Sequence, residues 1–170
     1  MNAPMTPVRR AARQRGITMV EALVALVVLS VGMLGIAGLY VSSLKAGRSA
    51  LIRTQAVNLV QDMADRIRAN ALGRAAYDVA AGYGGSPTTH DCVVTTNCTP
   101  AALAEDDLAR WVASVNAALP GGAPTANVQF TPAAATGRPD RYDILVDWQE
   151  AGESTRFSYA TTIELIPVIP

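Results

Sequence analysis

The chain has 170 residues, 14 basic and 14 acidic; half of it is hydrophobic and only 16% is charged. That length suits one domain plus appendages, and the composition excludes a disordered acidic or basic protein. It is also too apolar for an ordinary soluble domain unless the apolar residues are gathered in one block, and Ala22 to Leu44 supplies that block, 23 residues without a charge.

The formal neutrality hides an asymmetry. The first sixteen residues hold Arg9, Arg10, Arg13 and Arg15 and no acid, so the remainder carries ten bases against fourteen acids, a net of −4. Phosphate binding needs a basic surface, so no direct nucleic-acid partner is predicted, although Arg66, Arg68 and Arg74 are close enough in sequence to form a local patch.

The run Ile17 to Leu44 holds one ionisable group, Glu21. A helix of about 20 apolar residues spans a bilayer core, and the upstream arginines keep their end cytoplasmic by the positive-inside rule. An ordinary secretory signal has a shorter apolar region ending at a small-residue cleavage site, which this run does not. A charge inside a span costs about 2.5–3.5 kcal/mol even on lenient scales, so Glu21 needs either an interfacial position or a partner.

The stretch RQRG–ITMVEALVAL, with its basic leader, Gly16, apolar Ile17 and Glu21 five residues after the glycine, resembles the class III (prepilin) signal of type IV pilins and pseudopilins. The resemblance implies cleavage between Gly16 and Ile17 by a prepilin peptidase, N-methylation of Ile17, and a role for Glu21 in setting register by pairing with a neighbouring subunit's terminal amine. The family usually has an aromatic first mature residue, from which Ile17 departs. Gly32, Gly35 and Gly38 recur at every third position. They read either as glycine tolerated in a membrane helix or as a close-packing face.

Beyond Leu44 the helix is predicted to continue to about Asn70. Ile52, Ala56, Leu59, Val60, Met63 and Ile67 form one stripe, with Asp62 and Arg66 paired at i, i+4 on another face. Residues 74–98 read as a loop, with GYGGSPTT as its strongest turn signal. Cys92 and Cys98, an even pair in an exported chain, read as a disulfide. With His90 and Asp91 they lack the spacing of a zinc site, and no metal or cofactor is expected. Thr99-Pro100 opens a second helix with a cap and a proline at its first position. Glu105, Asp106 and Asp107 read as its solvated early face, and Leu108, Trp111, Val112, Val115 and Leu119 as its buried stripe. Pro120-Gly121-Gly122 ends it.

Three strands follow: Ala126–Thr131, Arg141–Glu150 and Thr155–Leu165. The last two alternate with period two and are joined at Ala151-Gly152-Glu153. The fold class is thus α+β and pilin-like: a long N-terminal helix packed on a small antiparallel sheet with one additional short helix. The expected divisions are a cleaved leader at 1–16, a transmembrane or filament-core segment at 17–45, an amphipathic helical half at 46–72 and a small globular domain at 73–170. The early Cys pair, the acidic helix bearing Trp111, LPGG and a strand ending VDW resemble the PilV-type minor pilins.

No phosphate-binding glycine loop, G-x-S-x-G or histidine pair is present; Asp143 and Asp147 share a strand face that reads as solvated. No enzyme is expected. The resemblance implies a minor pilin that helps initiate or modify pilus assembly, with adhesion, twitching motility or DNA uptake downstream. Its partners would be the prepilin peptidase, other minor and major pilins, the inner-membrane assembly platform and the membrane itself. It would reside as a single-pass inner-membrane protein with its C-terminal domain periplasmic until it enters the cell-surface pilus. The rivals are a minor pseudopilin of a type II secretion system and a membrane-anchored periplasmic binding module.

Overall fold

The computed structural model describes residues 16, 18–79, 89–94, 97–121, 124–135 and 137–167. Helix α1 spans Met19–Ala69, a 3-10 turn Arg74–Tyr77, helix α2 Pro100–Ala118, and strands β1 Thr125–Thr131, β2 Asp140–Gln149 and β3 Arg156–Leu165. The chain divides into two compact units, Met1–Lys45 and Ala46–Pro170.

In the first unit, α1 is apolar from Met19 to Leu44 apart from Glu21, and its large hydrophobic side chains there are all at least 53% exposed among the described residues. It is long and apolar enough to cross a membrane. Without β-branched or polar residues arranged to one side, the segment has no preferred face to bury, as befits a helix whose surroundings are apolar all round.

The second unit is built on the amphipathic part of α1. Ile52, Ala56, Val60, Met63, Ala64 and Ile67 are its buried residues, and they recur at the three- and four-residue spacing that keeps one face of a helix inward. Asn70 closes α1 by accepting the amide of Gly73. A β-carbon at Gly73 would lie 2.8 Å from both Asn70 Nδ2 and the Tyr77 ring, so this corner accepts only glycine.

The three strands form one antiparallel sheet in the order β1-β2-β3. Its register sets Val128 beside Ile144, and Val146 beside Tyr159, Tyr142 beside Ile163 and Trp148 beside Phe157, so the inner face is a continuous apolar layer. Strand β2, in the middle, has five residues in strict alternation buried; β3, at the edge, buries only Ile163 fully. Gly152 (φ +87°) takes the left-handed position in the β2–β3 turn, where Glu153 N–H bonds back to Glu150.

Helix α2 is capped by Thr99, whose hydroxyl accepts from Ala102 N–H. Trp111 is fully buried and its indole N–H donates to the carbonyl of Leu59 on α1 at 2.8 Å, so one residue supplies both apolar volume and a polar tie. At the end of α2, Gly121 (φ +96°) lies so near β2 that a β-carbon there would sit 2.8 Å from Gln149 O.

Two expectations are corrected. The segment from residue 74 is not loop throughout: Arg74–Tyr77 forms a 3-10 turn, Tyr77 is fully buried, and Val79 pairs with Val128 on the outer edge of β1. Tyr77 and Val79 stand among alanines, with too few large apolar neighbours to set a period, so only the tertiary core reveals them. Nor is the acidic start of α2 a solvated face: Asp106 is 1% exposed and Asp107 is held by Arg66 and Tyr77.

Candidate functional site

The N-terminal segment comes first. Gly16 is exposed and outside secondary structure, and a β-carbon added there would meet nothing. Ile17, like the leader residues 1–15, lies outside the described residues. Glu21 stands in the first turn of α1 and is exposed; its backbone N–H donates to the Thr18 hydroxyl at 3.3 Å, and Ala22 N–H donates to Thr18 O. Thr18 therefore caps the helix. Thr18-Met19-Val20-Glu21 has the spacing of a capping box, a signal legible in the sequence and missed above. A carboxylate in the first turn is also favoured by the helix dipole. A β-carbon at Gly32, Gly35 or Gly38 would meet nothing, so all three present bare backbone to whatever surrounds the helix.

The second assembly of functional groups ties the disulfide loop to the core. Cys92 and Cys98 are bonded, with Cα atoms 5.8 Å apart, and the loop runs directly into the Thr99 cap of α2. Buried Asp106 accepts the backbone N–H groups of His90 and Asp91, at 3.1 and 3.2 Å, and the Arg110 guanidinium one helical turn on. The Arg110 bond and the two amides hold its carboxyl below the ordinary carboxylate range against the opposing effect of burial. His90 Nε2 lies 2.5 Å from Glu105. His90 is an exposed loop residue whose backbone and ring both reach α2.

A third cluster joins α1, the 3-10 turn and α2. Tyr77 donates its hydroxyl to Asp107 at 2.7 Å, Asn70 donates to Tyr77 and to Pro100 O, and Arg66 reaches both Asp62 and Asp107. Burial, then the bond to Asp107, pushes the Tyr77 phenol far up. Nearby, Arg74 (φ +38°) grips Asp140 through two bonds of 2.8 and 2.9 Å; that pairing holds the Asp140 carboxyl below its ordinary range. Burial, with Asp140 beside it, raises the Tyr142 phenol to about 12.

The polar groups of these clusters are bonded chiefly to one another. Arg66, Arg68 and Arg74, the suspected basic patch, are each paired with a carboxylate, which cancels the charge that a nucleic acid would seek. Asp143 and Asp147 lie on the polar face of β2 and pair with Arg141 and Arg156. No group of three or more metal-ligating side chains occurs among the described residues.

An unpartnered apolar helix with an acid near its start, carried ahead of a small α+β unit, defines a pilin-like protein. Residues 11–37 match the prokaryotic N-terminal methylation motif and residues 38–109 match the family described as type IV pilin Tt1218. Together the two matches support a type IV pilin, a family of structural subunits. No curated protein and no solved structure matches the chain.

Proposed function

We propose that this pilin is a minor, PilV-type subunit of a type IV pilus, which helps initiate or modify pilus assembly. The observation that carries the reading is the exposed apolar helix from Met19 to Leu44, which lies within and just beyond the methylation motif at residues 11–37. Such a surface needs lipid or other apolar helices around it, and a pilin has both in turn: membrane before assembly, neighbouring subunits after.

On this reading prepilin peptidase removes residues 1–16 at the cytoplasmic face, and Ile17 becomes the methylated terminus. Residues 17–45 span the inner membrane and later form filament core; 46–72 complete the helix; 73–170 form the domain, periplasmic in storage and at the cell surface in the pilus. Glu21 sets register: within apolar packing a carboxylate left alone is costly, and one paired with a neighbour's terminal ammonium fixes the stagger of the helices. The early disulfide and the small domain favour a minor subunit, since major pilins usually place their disulfide near the C-terminus.

The test is the N-terminus of the protein from native membranes, read by intact mass and terminal peptide sequencing. A start at Ile17 with one added methyl is expected. A start at Met1 in cells with active prepilin peptidase overturns the reading in favour of an anchored periplasmic module. If deletion abolishes exoprotein secretion and leaves pili intact, the chain is a pseudopilin instead.

A further inference from the structure

The arginines of the compact unit are, with few exceptions, matched to acids: Arg66, Arg68, Arg74, Arg110, Arg141 and Arg156 all pair with carboxylates. Arg48, Arg53 and the loop residue Arg138 do not, and of these Arg48 and Arg53 lie near the apolar run. Both are exposed on the first turns of α1 within Ala46–Pro170, and neither makes an ion pair among the described residues. The sequence places a third exposed cation, Lys45, immediately after the apolar run that ends at Leu44.

The Arg53 guanidinium lies 4.9 Å from the centre of the Phe157 ring, at the edge of a cleft of about 160 Å³ lined by Arg53, Val57, Trp148, Phe157, Ser158 and Tyr159. Stacking on the ring orients the guanidinium and leaves its N–H groups for an anion. One residue from Arg48, Ser49 donates to Glu150 at 3.0 Å, and Trp148 donates to the same carboxylate oxygen, so the β2–β3 turn is tied to this end of the unit. Cations next to aromatic rings, directly beyond a span-length apolar run, are the residue types that settle at the headgroup layer of a bilayer.

We propose that Arg48 and Arg53, with Lys45 just before them in the sequence, bind the phosphate headgroups of anionic phospholipids where the chain leaves the membrane. The proposal rests on the membrane-stored pilin read above. Assembly would then strip these lipids, and the three cations set how readily a subunit leaves storage. Each basic side chain at an anionic surface strengthens binding about fivefold. Glu150 is engaged by Ser49 and Trp148; Glu153, exposed in the same turn, opposes the attraction.

The test is native mass spectrometry of the delipidated full chain in mild detergent, titrated separately with phosphatidylglycerol and phosphatidylcholine. Phosphatidylglycerol is expected to bind more tightly. The variant Lys45→Gln/Arg48→Gln/Arg53→Gln should lose that preference by about tenfold or more, and Glu153→Gln should strengthen it. Because Arg53 also packs on Phe157, Lys45→Gln/Arg48→Gln serves as a second variant and should lose part of the preference with the fold untouched. Equal affinity for the two lipids, or an unchanged preference in both basic variants, overturns the proposal and leaves an acidic face of a neighbouring subunit as the better occupant. The leader arginines cancel in the comparison of variant with parent. The same spectra report the N-terminus, so an unprocessed chain counts against the pilus reading, while the lipid ratio alone decides the headgroup proposal.

Discussion

Helix α1 contains two stretches that share a conformation and little else. From Ala22 to Leu44 it carries no charge and keeps every large apolar side chain exposed. From Ile52 to Ile67 its apolar side chains fall on one stripe and are buried, and the other faces carry the pairs Arg66–Asp62 and Arg68–Asp65. Leu and Ala favour the helix in both stretches, but the first also carries five valines and three glycines, which do not. They part company in where the apolar side chains find cover. The second stretch finds it in α2 and the sheet; the first has none within its own unit. On the proposed reading, a subunit that passes from lipid to filament keeps one adaptable surface apolar all round and confines its specific packing to the other stretch.

The sharpest way to break that comparison is Glu21→Ala. Processing should continue, because the cleavage site is unaltered, but the mature chain should remain in the membrane and disappear from sheared pili on immunoblots. Normal incorporation would show that the apolar stretch sets its register without a charge.

On the packed side, Trp111→Ala should be the most destabilising single change. It empties a fully buried site and removes the bond to Leu59, at a cost of about 3–5 kcal/mol, seen as a lower thermal midpoint in the near-ultraviolet circular dichroism of the detergent-solubilised chain. The helical signal of the apolar stretch should survive that transition; its simultaneous loss would mean that the two stretches melt as one.

Removing the disulfide with Cys92→Ala/Cys98→Ala should cost less, about 2 kcal/mol for so short a loop in the chain-entropy model. It should speed amide exchange around residues 89–98 first. Asp106 would still hold the amides of His90 and Asp91, so α2 itself should remain folded.

The smallest effect is confined to acid. Asp106 and Asp140 both have carboxyl groups held below the ordinary value of 3.8 by arginine bonds. A depressed folded-state value means that the stabilisation is fully present above the unfolded value and is lost as pH falls through the folded one. Through these groups stability should therefore not vary with pH near neutrality and should weaken progressively below about pH 4. Asp140→Asn should lower stability at neutral pH and flatten the acid limb; an acid limb of unchanged slope would place the lability elsewhere.

Much of the molecule was legible from residue types alone. The sequence by itself determined the apolar run and its leader, the stripe from Ile52 to Ile67, the Thr99 cap, the stripe around Trp111 and the alternation of β2 and β3. These are periodic or local signals, and periodicity survives without knowledge of the partner. Thr18 as the cap of α1 is an equally local signal, three residues before Glu21. What only the tertiary structure decided is how the polar groups are spent. Asp106 and Glu105 are neighbours of the same chemistry, yet one is buried under the disulfide loop and the other exposed. Arg74 looked like part of a basic patch until Asp140, from a distant strand, came to lie against it. Tyr77 stood in an apparent loop until Asn70 and Asp107 closed around its hydroxyl. A charge or a hydroxyl takes its role from the partner within hydrogen-bonding distance, and that partner is chosen by the fold rather than by neighbours in sequence.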